Sequence, residues 1–88
     1  YIDQGASKAL KSGKSLLPAG ITRVSGNFKK GDNILIVDSN NVDIARALSS
    51  FTSEEINKIK GLQSDQIENI LGYASKSEIV HKDDIVIL

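Results

Sequence analysis

The residues best suited to chemistry near the start of the chain are Gly13, Lys14 and Ser15, which follow one another directly. The phosphate-binding P-loop also ends with a glycine, a lysine and a hydroxyl residue in this order. It requires another glycine five residues before that glycine. Lys8 stands at that position, and a helix is predicted before the triplet rather than after it. The triplet therefore predicts no nucleotide site.

The other reactive side chains lack the partners that catalysis requires. His81 is the one histidine of the chain, and there is no cysteine, so disulfides and thiolate metal sites are excluded. No serine or cysteine motif accompanies His81, which is therefore interpreted as a structural hydrogen-bonding residue. Four acids fall in the first turns of predicted helices, where they favour the helix dipole: Glu54, Glu55, Asp65 and Glu68. The sequence thus predicts a non-catalytic binding or assembly module with no metal or cofactor of its own.

The net charge of the chain is zero, but the charges are unevenly distributed. Residues 1–31 carry six cations and one acid, whereas residues 32–88 carry five cations and ten acids. This division indicates either an anionic partner for one face or internal pairing between the two segments. Lys8 and Lys11 are equally compatible with an ordinary solvated helix face.

Capping signals predict three short helices. The first spans residues 4–11, with Asp3 as its N-cap and a glycine after its end. The second begins after Thr52, which forms the capping-box pattern with the glutamate three residues on, and runs to about residue 60. The third is capped by Ser64. The side chains expected to face the core from these helices are those of Ala6, Ala9, Leu10, Ile56, Ile59, Ile67, Ile70 and Leu71.

The strands are predicted from aliphatic runs separated by turn residues. Residues 34–37 are four consecutive aliphatics, which indicates a strand buried on both faces. A turn at residues 38–41 joins it as a hairpin to residues 42–48, and a last strand is expected at residues 84–88. Several short strands with three short connecting helices indicate an α+β fold, mostly β, built as a small barrel. With 88 residues there is room for one domain and one core.

The alternation of the second hairpin strand leaves the direction of one arginine open. Val42, Ile44 and Leu48 are expected to point inward, and Arg46 has the same parity. Arg46 therefore points inward or toward a barrel rim, is turned outward by a β-bulge, or forms a salt bridge with one of the many acids.

The segment from Gly13 to Ile21 organises the rest of the chain. Pro18 lacks an N–H and pushes Leu17 into an extended conformation, so this segment is expected to be an edge strand or a strand–loop junction. Gly13 and Gly20 permit a positive φ or a close backbone approach by a ligand. Gly13-Lys14-Ser15-Leu16-Leu17-Pro18-Ala19-Gly20-Ile21 resembles the start of a PUA domain.

Later segments make the resemblance specific to the C-terminal PUA domain of glutamate 5-kinases and extend it over essentially the whole chain. These segments are Asp3-Gln4-Gly5-Ala6, Gly26-Asn27-Phe28-Lys29-Lys30-Gly31-Asp32, Ile44-Ala45-Arg46-Ala47-Leu48, Ser53-Glu54-Glu55, Ile70-Leu71-Gly72-Tyr73 and Glu78-Ile79-Val80-His81-Lys82-Asp83. The resemblance implies a PUA-like pseudo-barrel with short connecting helices.

The resemblance also implies two roles. PUA domains of RNA-modifying enzymes contact structured RNA through the first helix, the loop after it and the adjoining strand. Carried over to this sequence, the RNA-binding residues are Lys8, Lys11, Gly13, Lys14, Ser15, Gly20 and Arg23. The alternative is a regulatory or assembly module that packs on the kinase domain of the same chain and tunes proline feedback without binding RNA. Its expected contact surfaces are the acidic helices of residues 52–71 and the apolar ends of the chain.

The resemblance places the catalytic chemistry outside this sequence. In glutamate 5-kinases an N-terminal kinase domain uses ATP and Mg²⁺ to phosphorylate glutamate for proline synthesis, and a homo-oligomer is implied for the parent enzyme. The start without methionine and the apolar ending are expected for a single PUA domain, residues 1–88, taken from a longer chain. No apolar run is long enough for a membrane span or a signal peptide, which is compatible with a cytoplasmic protein without a membrane partner.

Overall fold

The computed structural model describes residues 1–73 and 76–88. Its sheet has three antiparallel strands in the order β1 (Asn33–Val37), β2 (Asp43–Leu48) and β3 (Ile85–Ile87). The α-helices are α1 (Gln4–Lys11), α2 (Ser53–Ile59) and α3 (Ile67–Leu71), and 3₁₀ turns lie at Pro18–Gly20, Ser64–Gln66 and Lys82–Asp84. The predicted α+β class with short connecting helices is confirmed.

Two isolated antiparallel bridges extend the sheet around the core. Ile2 pairs with Ile21, and Leu16 pairs with Val80. The Ile2 N–H also donates to the Val37 carbonyl at 2.9 Å, so the start of the chain lies between β1 and the segment around Ile21. The segment from residue 13 to 21 is thus a strand–loop junction, and the chain wraps into a partly closed barrel.

The core of the barrel is aliphatic apart from one aromatic ring. Its most deeply buried side chains include those of Ile2, Leu10, Leu16, Ile36, Phe51, Ile59, Ile79 and Val80. Ile56 and Ile59 of α2 and the inner face of α1 contribute to this cluster, because the apolar residues of these helices recur at helical spacing. Since the segments that supply these side chains are far apart in the sequence, the core joins the two ends of the chain.

The first two helices begin where their caps predict. The Asp3 carboxylate accepts from the Ala6 N–H at 2.8 Å, which satisfies one of the free donors at the start of α1. At α2 the Thr52 hydroxyl accepts from the Glu55 N–H at 3.1 Å, and the Glu55 carboxylate accepts from the Thr52 N–H at 2.8 Å. The predicted capping box is therefore present, and both helix predictions are confirmed.

The third helix ends at Gly72 as predicted, but it differs from its prediction at its start and on its inner face. Ser64 lies inside the 3₁₀ turn that precedes α3, and its side chain caps no helix. Ile67 is buried and Leu71 packs against the core, but the Ile70 side chain is 47% exposed. The prediction of an inward Ile70 is wrong because α3 has only five residues, and so short a helix presents a narrow face to the core.

β1 is not buried on both faces. Ile36 is buried, whereas Leu35 is 40% exposed on the opposite face. The prediction from four consecutive aliphatics is wrong because double burial requires a layer on each side of the sheet, and a small barrel has a single interior. One face of every strand then points outward, whatever its composition.

The expected inward face of β2 is wrong at two of its three positions. Ala45 and Ala47 fill the interior, while Val42 and Leu48 are exposed. Ile36 pairs with Ala45 and Val37 with Asp43, so Ile44 is an extra residue on β2 and marks a β-bulge.

The bulge resolves the open alternatives for Arg46. After the extra residue at Ile44, the two alanines face the core and Arg46 faces outward. Arg46 forms no salt bridge with any residue that the structure describes. The β-bulge alternative is therefore the one that the structure supports, and the inward and ion-pair alternatives are wrong.

Candidate anion-binding surface around the first helix

The end of α1 presents a glycine and a lysine in a fixed geometry. The Gly13 N–H donates to the Leu10 carbonyl at 3.0 Å, and the Lys14 N–H donates to the Ala9 carbonyl at 3.0 Å. This pair of bonds is a Schellman motif, which needs a left-handed residue after the helix, and Gly13 has φ +82°. The motif fixes the direction in which the chain leaves α1, and the Lys14 side chain is exposed at this turn.

Gly20 serves close packing rather than an unusual backbone angle. A Cβ placed on Gly20 would overlap the Cβ of Ala6 on α1. The Asp3 N–H donates to the Gly20 carbonyl at 2.9 Å, which ties the N-terminal side of α1 to this segment. Gly13 thus has the predicted positive φ, whereas Gly20 approaches Ala6 of α1 closely, and its predicted approach to a ligand stays a prediction.

An open groove of about 640 Å³ lies between α1 and the segment that ends at Gly20. Lys14, Ser15 and Gly13 line it together with His81 and Lys82 from the other end of the chain. The Ser15 hydroxyl accepts from the Lys82 N–H at 2.9 Å, and the Leu16–Val80 bridge holds the two segments side by side. The structure therefore brings together four predicted site residues: Gly13, Lys14, Ser15 and Gly20.

Lys8 and Lys11 lie in a neighbouring groove on another side of α1. This groove has a volume of about 490 Å³ and is also lined by the β1–β2 turn at residues 38–40. Gly5 borders both grooves, so the two form one surface around the helix. We call the residues lining both grooves the α1 surface.

Arg23 lies apart from the α1 surface. Its guanidinium carbon is 4.0 Å from the centre of the Tyr1 ring, in a cation–π contact. It lines an apolar cavity on the β1 side of the barrel and neither of the two grooves. Arg23 is thus the one predicted site residue that the structure does not bring to the others.

The α1 surface carries both signs of charge, but two of its three carboxylates are already hydrogen bonded. Asp3 caps α1, and the Asp38 carboxylate accepts from the N–H groups of Asn40 and Val42 at 2.9 and 3.0 Å. Glu78 is the third. The four lysines of the surface, Lys8, Lys11, Lys14 and Lys82, form no salt bridge with any described residue. Their charges are therefore available to an anion.

Sequence reasoning missed Lys82 and His81 as parts of this surface. Lys82 is 67 residues away from Ser15, and only the pairing of Leu16 with Val80 brings them together. His81 accepts the Asp83 N–H at its Nδ1 at 3.1 Å, so its predicted structural role is confirmed. No local sequence pattern indicates such a pairing, although counting the charges of the last residues of the chain could have drawn attention to Lys82.

A hydrogen-bonded pair with shifted pKa values lies at α2, away from the α1 surface. Partial burial raises the pKa of Glu55, but hydrogen bonds from the Thr52 N–H and the Tyr73 hydroxyl outweigh it, and the pKa lies below its ordinary value. The hydrogen bond to Glu55 raises the pKa of Tyr73. These shifts follow from helix capping, so they indicate stability rather than catalysis.

Comparisons with known proteins agree with this architecture. The sequence model of the PUA domain family matches residues 1–71. Relatives named glutamate 5-kinase include those of Bartonella henselae, 52% identical over 98% of this chain and 23% of their length, and of Pelagibacter ubique, 62% identical over 97% and 23%. Another, from a Thermoanaerobacter species, is 47% identical over 100% of this chain and 24% of its own length. The chain thus spans about a quarter of these curated relatives, and the match across most of its length shows that it belongs to the PUA domain family.

Proposed function

We propose that this chain is the PUA domain of a glutamate 5-kinase, that it lies at the C-terminus of that enzyme, and that its own role is to bind RNA. The kinase activity, the ATP-dependent phosphorylation of glutamate in proline synthesis, would belong to the rest of the enzyme. Among residues 1–73 and 76–88, no three histidine, aspartate or glutamate side chains group as metal ligands. We assign no catalytic step to these residues.

The observation that carries the RNA proposal is the clustering of unpaired lysines beside exposed backbone at the end of α1. Lys14 and Lys82 line one groove, and Lys8 and Lys11 line the adjacent one. Lysine ammonium groups bind phosphates as point charges, and Gly13 leaves the backbone accessible beside them. This arrangement suits a phosphate backbone that runs across the helix end.

Aromatic side chains are not placed for base stacking on this surface. Phe51 is buried in the core, Phe28 packs against it, and Tyr1 is covered by the Arg23 guanidinium. Sequence-specific RNA recognition usually stacks unpaired bases on exposed rings. Binding at the α1 surface would therefore recognise the shape and phosphates of a structured RNA and weaken steeply with salt.

Fluorescence anisotropy with a labelled RNA hairpin tests this function. Replacing both Lys14 and Lys82 with glutamate is expected to weaken binding by at least about ten-fold and to lower the salt slope by roughly one for each lysine. The matched control replaces Lys29 and Lys58, two exposed lysines outside the α1 surface, with glutamate. Equal losses in the two double variants would show that only net charge matters and would overturn the assignment to α1.

A second candidate function, packing on the kinase domain, is favoured by the outer face of the sheet. Leu35, Arg46 and Val86 lie opposite one another on the three strands, and Leu35 and Val86 are 40% and 65% exposed. Leu48 adds a further exposed aliphatic side chain on β2. Exposed aliphatic side chains gathered on one face are typical of protein contact surfaces.

The second candidate is tested in the whole kinase. Replacing Leu48 and Val86 with serine should change its oligomeric state or its inhibition by proline if this face packs on the kinase domain. The matched control is Leu17→Ser, which removes a similarly exposed aliphatic side chain outside the sheet face and outside residues 52–71. An unchanged enzyme in both variants would exclude packing through the sheet face.

A further inference from the structure

His81 lines the same groove of the α1 surface as Lys82. Both of its neighbours in the chain are anchored to the segment that follows α1. The Leu16 N–H donates to the Val80 carbonyl at 3.0 Å, and the Lys82 N–H donates to the Ser15 hydroxyl at 2.9 Å. The backbone of His81 is therefore held on both sides, and its imidazole stays at the wall of the groove. The proposed function uses the lysines of this groove but not the imidazole.

The neutral form of His81 has a structural partner. Its Nδ1 accepts from the Asp83 N–H at 3.1 Å, so the hydrogen of the neutral ring must be on Nε2. In this form the ring caps the 3₁₀ turn Lys82–Asp84. Neutral His81 thus helps to position Lys82 but adds no charge to the groove.

The protonated form of His81 has a partner as well. Protonation places a hydrogen on Nδ1, which then cannot accept from the Asp83 N–H. The Asp83 carboxylate lies 3.5 Å from the same nitrogen and can accept this hydrogen. The His81 side chain is 43% exposed and Asp83 is more exposed still, so the released N–H can bond to water. The turn can therefore accommodate both states of the ring.

The charge of the groove depends on which state is present. Four other ionisable side chains line the groove, two of each sign: Asp3 at the start of α1, Lys14 after its end, and Glu78 and Lys82 on the segment of His81 itself. Their formal charges cancel, so the groove is neutral with a neutral imidazole and carries +1 with a protonated one. The Asp83 carboxylate lies beside the ring but is 78% exposed, so water and salt screen its charge.

We propose that protonated His81 is a further anion-binding residue of the α1 surface, and that phosphate binding there strengthens as the pH falls from about 8 to about 5.5. Imidazole ordinarily changes its charge in this range, and His81 is the one histidine of the chain. Bound phosphates favour the charged ring, so binding takes up a proton and is favoured at low pH. The proposal rests on the proposed function of the α1 surface and adds pH regulation to it.

Fluorescence anisotropy at constant ionic strength tests the proposal. The probe is a labelled RNA hairpin whose stem contains only Watson–Crick pairs, because its phosphodiesters keep their charge over this pH range. Between about pH 8 and about pH 5.5 the Kd should fall roughly two- to five-fold, the effect of one exposed ion pair. The salt dependence should become steeper by up to about one at low pH, as expected for one more neutralised phosphate.

Two variants of His81 separate its charge from its structural role. His81→Asn keeps an acceptor for the Asp83 N–H but cannot be protonated, so it should bind at both pH values as the wild type does at high pH. His81→Arg is always charged and should bind at both pH values as the wild type does at low pH. Equal pH responses of the wild type and His81→Asn would overturn the proposal and leave RNA binding intact.

The wild-type protein supplies a second measurement that does not depend on the folding of a variant. The NMR signals of the His81 ring report its protonation directly, and their titration midpoint should move to higher pH when the hairpin is bound. An unchanged midpoint in the bound protein would overturn the proposal. Absence of hairpin binding at both pH values would overturn RNA binding itself, and this proposal with it.

Discussion

The two sides of the β1 edge are built in opposite ways. On the α1 side, the start of the chain fills the space between β1 and Ile21, and Gly20 packs against Ala6 without room for a side chain. On the other side, residues 24–27 stand away from β1 and leave a cavity. The described residues are therefore packed more tightly where α1 is attached, the closed side, than on the side of the cavity, the open side. Substitutions should therefore have very different effects on the two sides.

The largest effect is expected from Gly20→Val on the closed side. Its Cβ would overlap Ala6, and overpacking of this kind costs about 2–3 kcal/mol of unfolding free energy. Chemical denaturation measures the loss. Gly5→Ala is the control on the same helix, because a Cβ there makes ordinary contact with Asp3 at 3.5 Å and stability should hardly change. A fully stable Gly20→Val protein would contradict the close approach.

A smaller effect is expected from Ser53→Ala, which weakens the far anchor of the open side but keeps the bond from the Ser53 N–H to the Phe28 carbonyl at 3.1 Å. The Ser53 hydroxyl accepts from the Phe28 N–H at 3.1 Å and holds residues 24–27 at one end. Leaving that N–H without a partner costs about 1–2 kcal/mol. NMR relaxation should show more motion at residues 24–27, with α1 unaffected. Unchanged motion would mean that another contact holds this segment.

Glu55→Gln should cost about 1 kcal/mol at neutral pH, because it weakens the capping box at the start of α2. The pKa of Glu55 is lowered in the folded protein, so its stabilisation is present above the unfolded value of 4.5 and is lost as pH falls through the folded value. Denaturation at several pH values should show the wild type and the variant converging in acid. A difference that persists in acid would contradict the role of the carboxylate.

The smallest effect is expected from Ser25→Leu on the open side. Ser25 is exposed and lines the cavity, so the larger side chain has room, and stability should change by less than about 0.5 kcal/mol. A large loss of stability would show that the open side is as tightly packed as the closed side.

Local signals predicted the starts of α1 and α2 and the family, because these signals depend on neighbouring residues. Asp3 and Thr52 bond N–H groups within three residues of themselves, and such patterns can be identified in the sequence. The inward residues of β2 could not be predicted this way. Ala45 and Ala47 face the core because Ile44 forms a β-bulge relative to β1. A bulge depends on how β2 pairs with β1, and the alternation of residues within β2 does not show that pairing.

The candidate site shows the same difference between residues that a local pattern identifies and residues that only long-range pairing brings together. Gly13, Lys14 and Ser15 were identified because they are consecutive, whereas Lys82 joins them only through the distant pairing of Leu16 with Val80. The resemblance to RNA-binding PUA domains groups Arg23 with the lysines, but the fold places Arg23 at the cavity beside β1 instead. Residues close in sequence can thus serve different surfaces when a strand separates them.

Binding of a phosphate backbone at the α1 surface can be tested by an NMR titration of the chain with a structured RNA at low and near-physiological salt. We expect shifts at Lys8, Lys11, Lys14 and Lys82 that weaken as salt rises, with residues 24–27 unaffected. An unmoved spectrum at both salt concentrations would contradict RNA binding and leave packing on the kinase domain as the function of the domain.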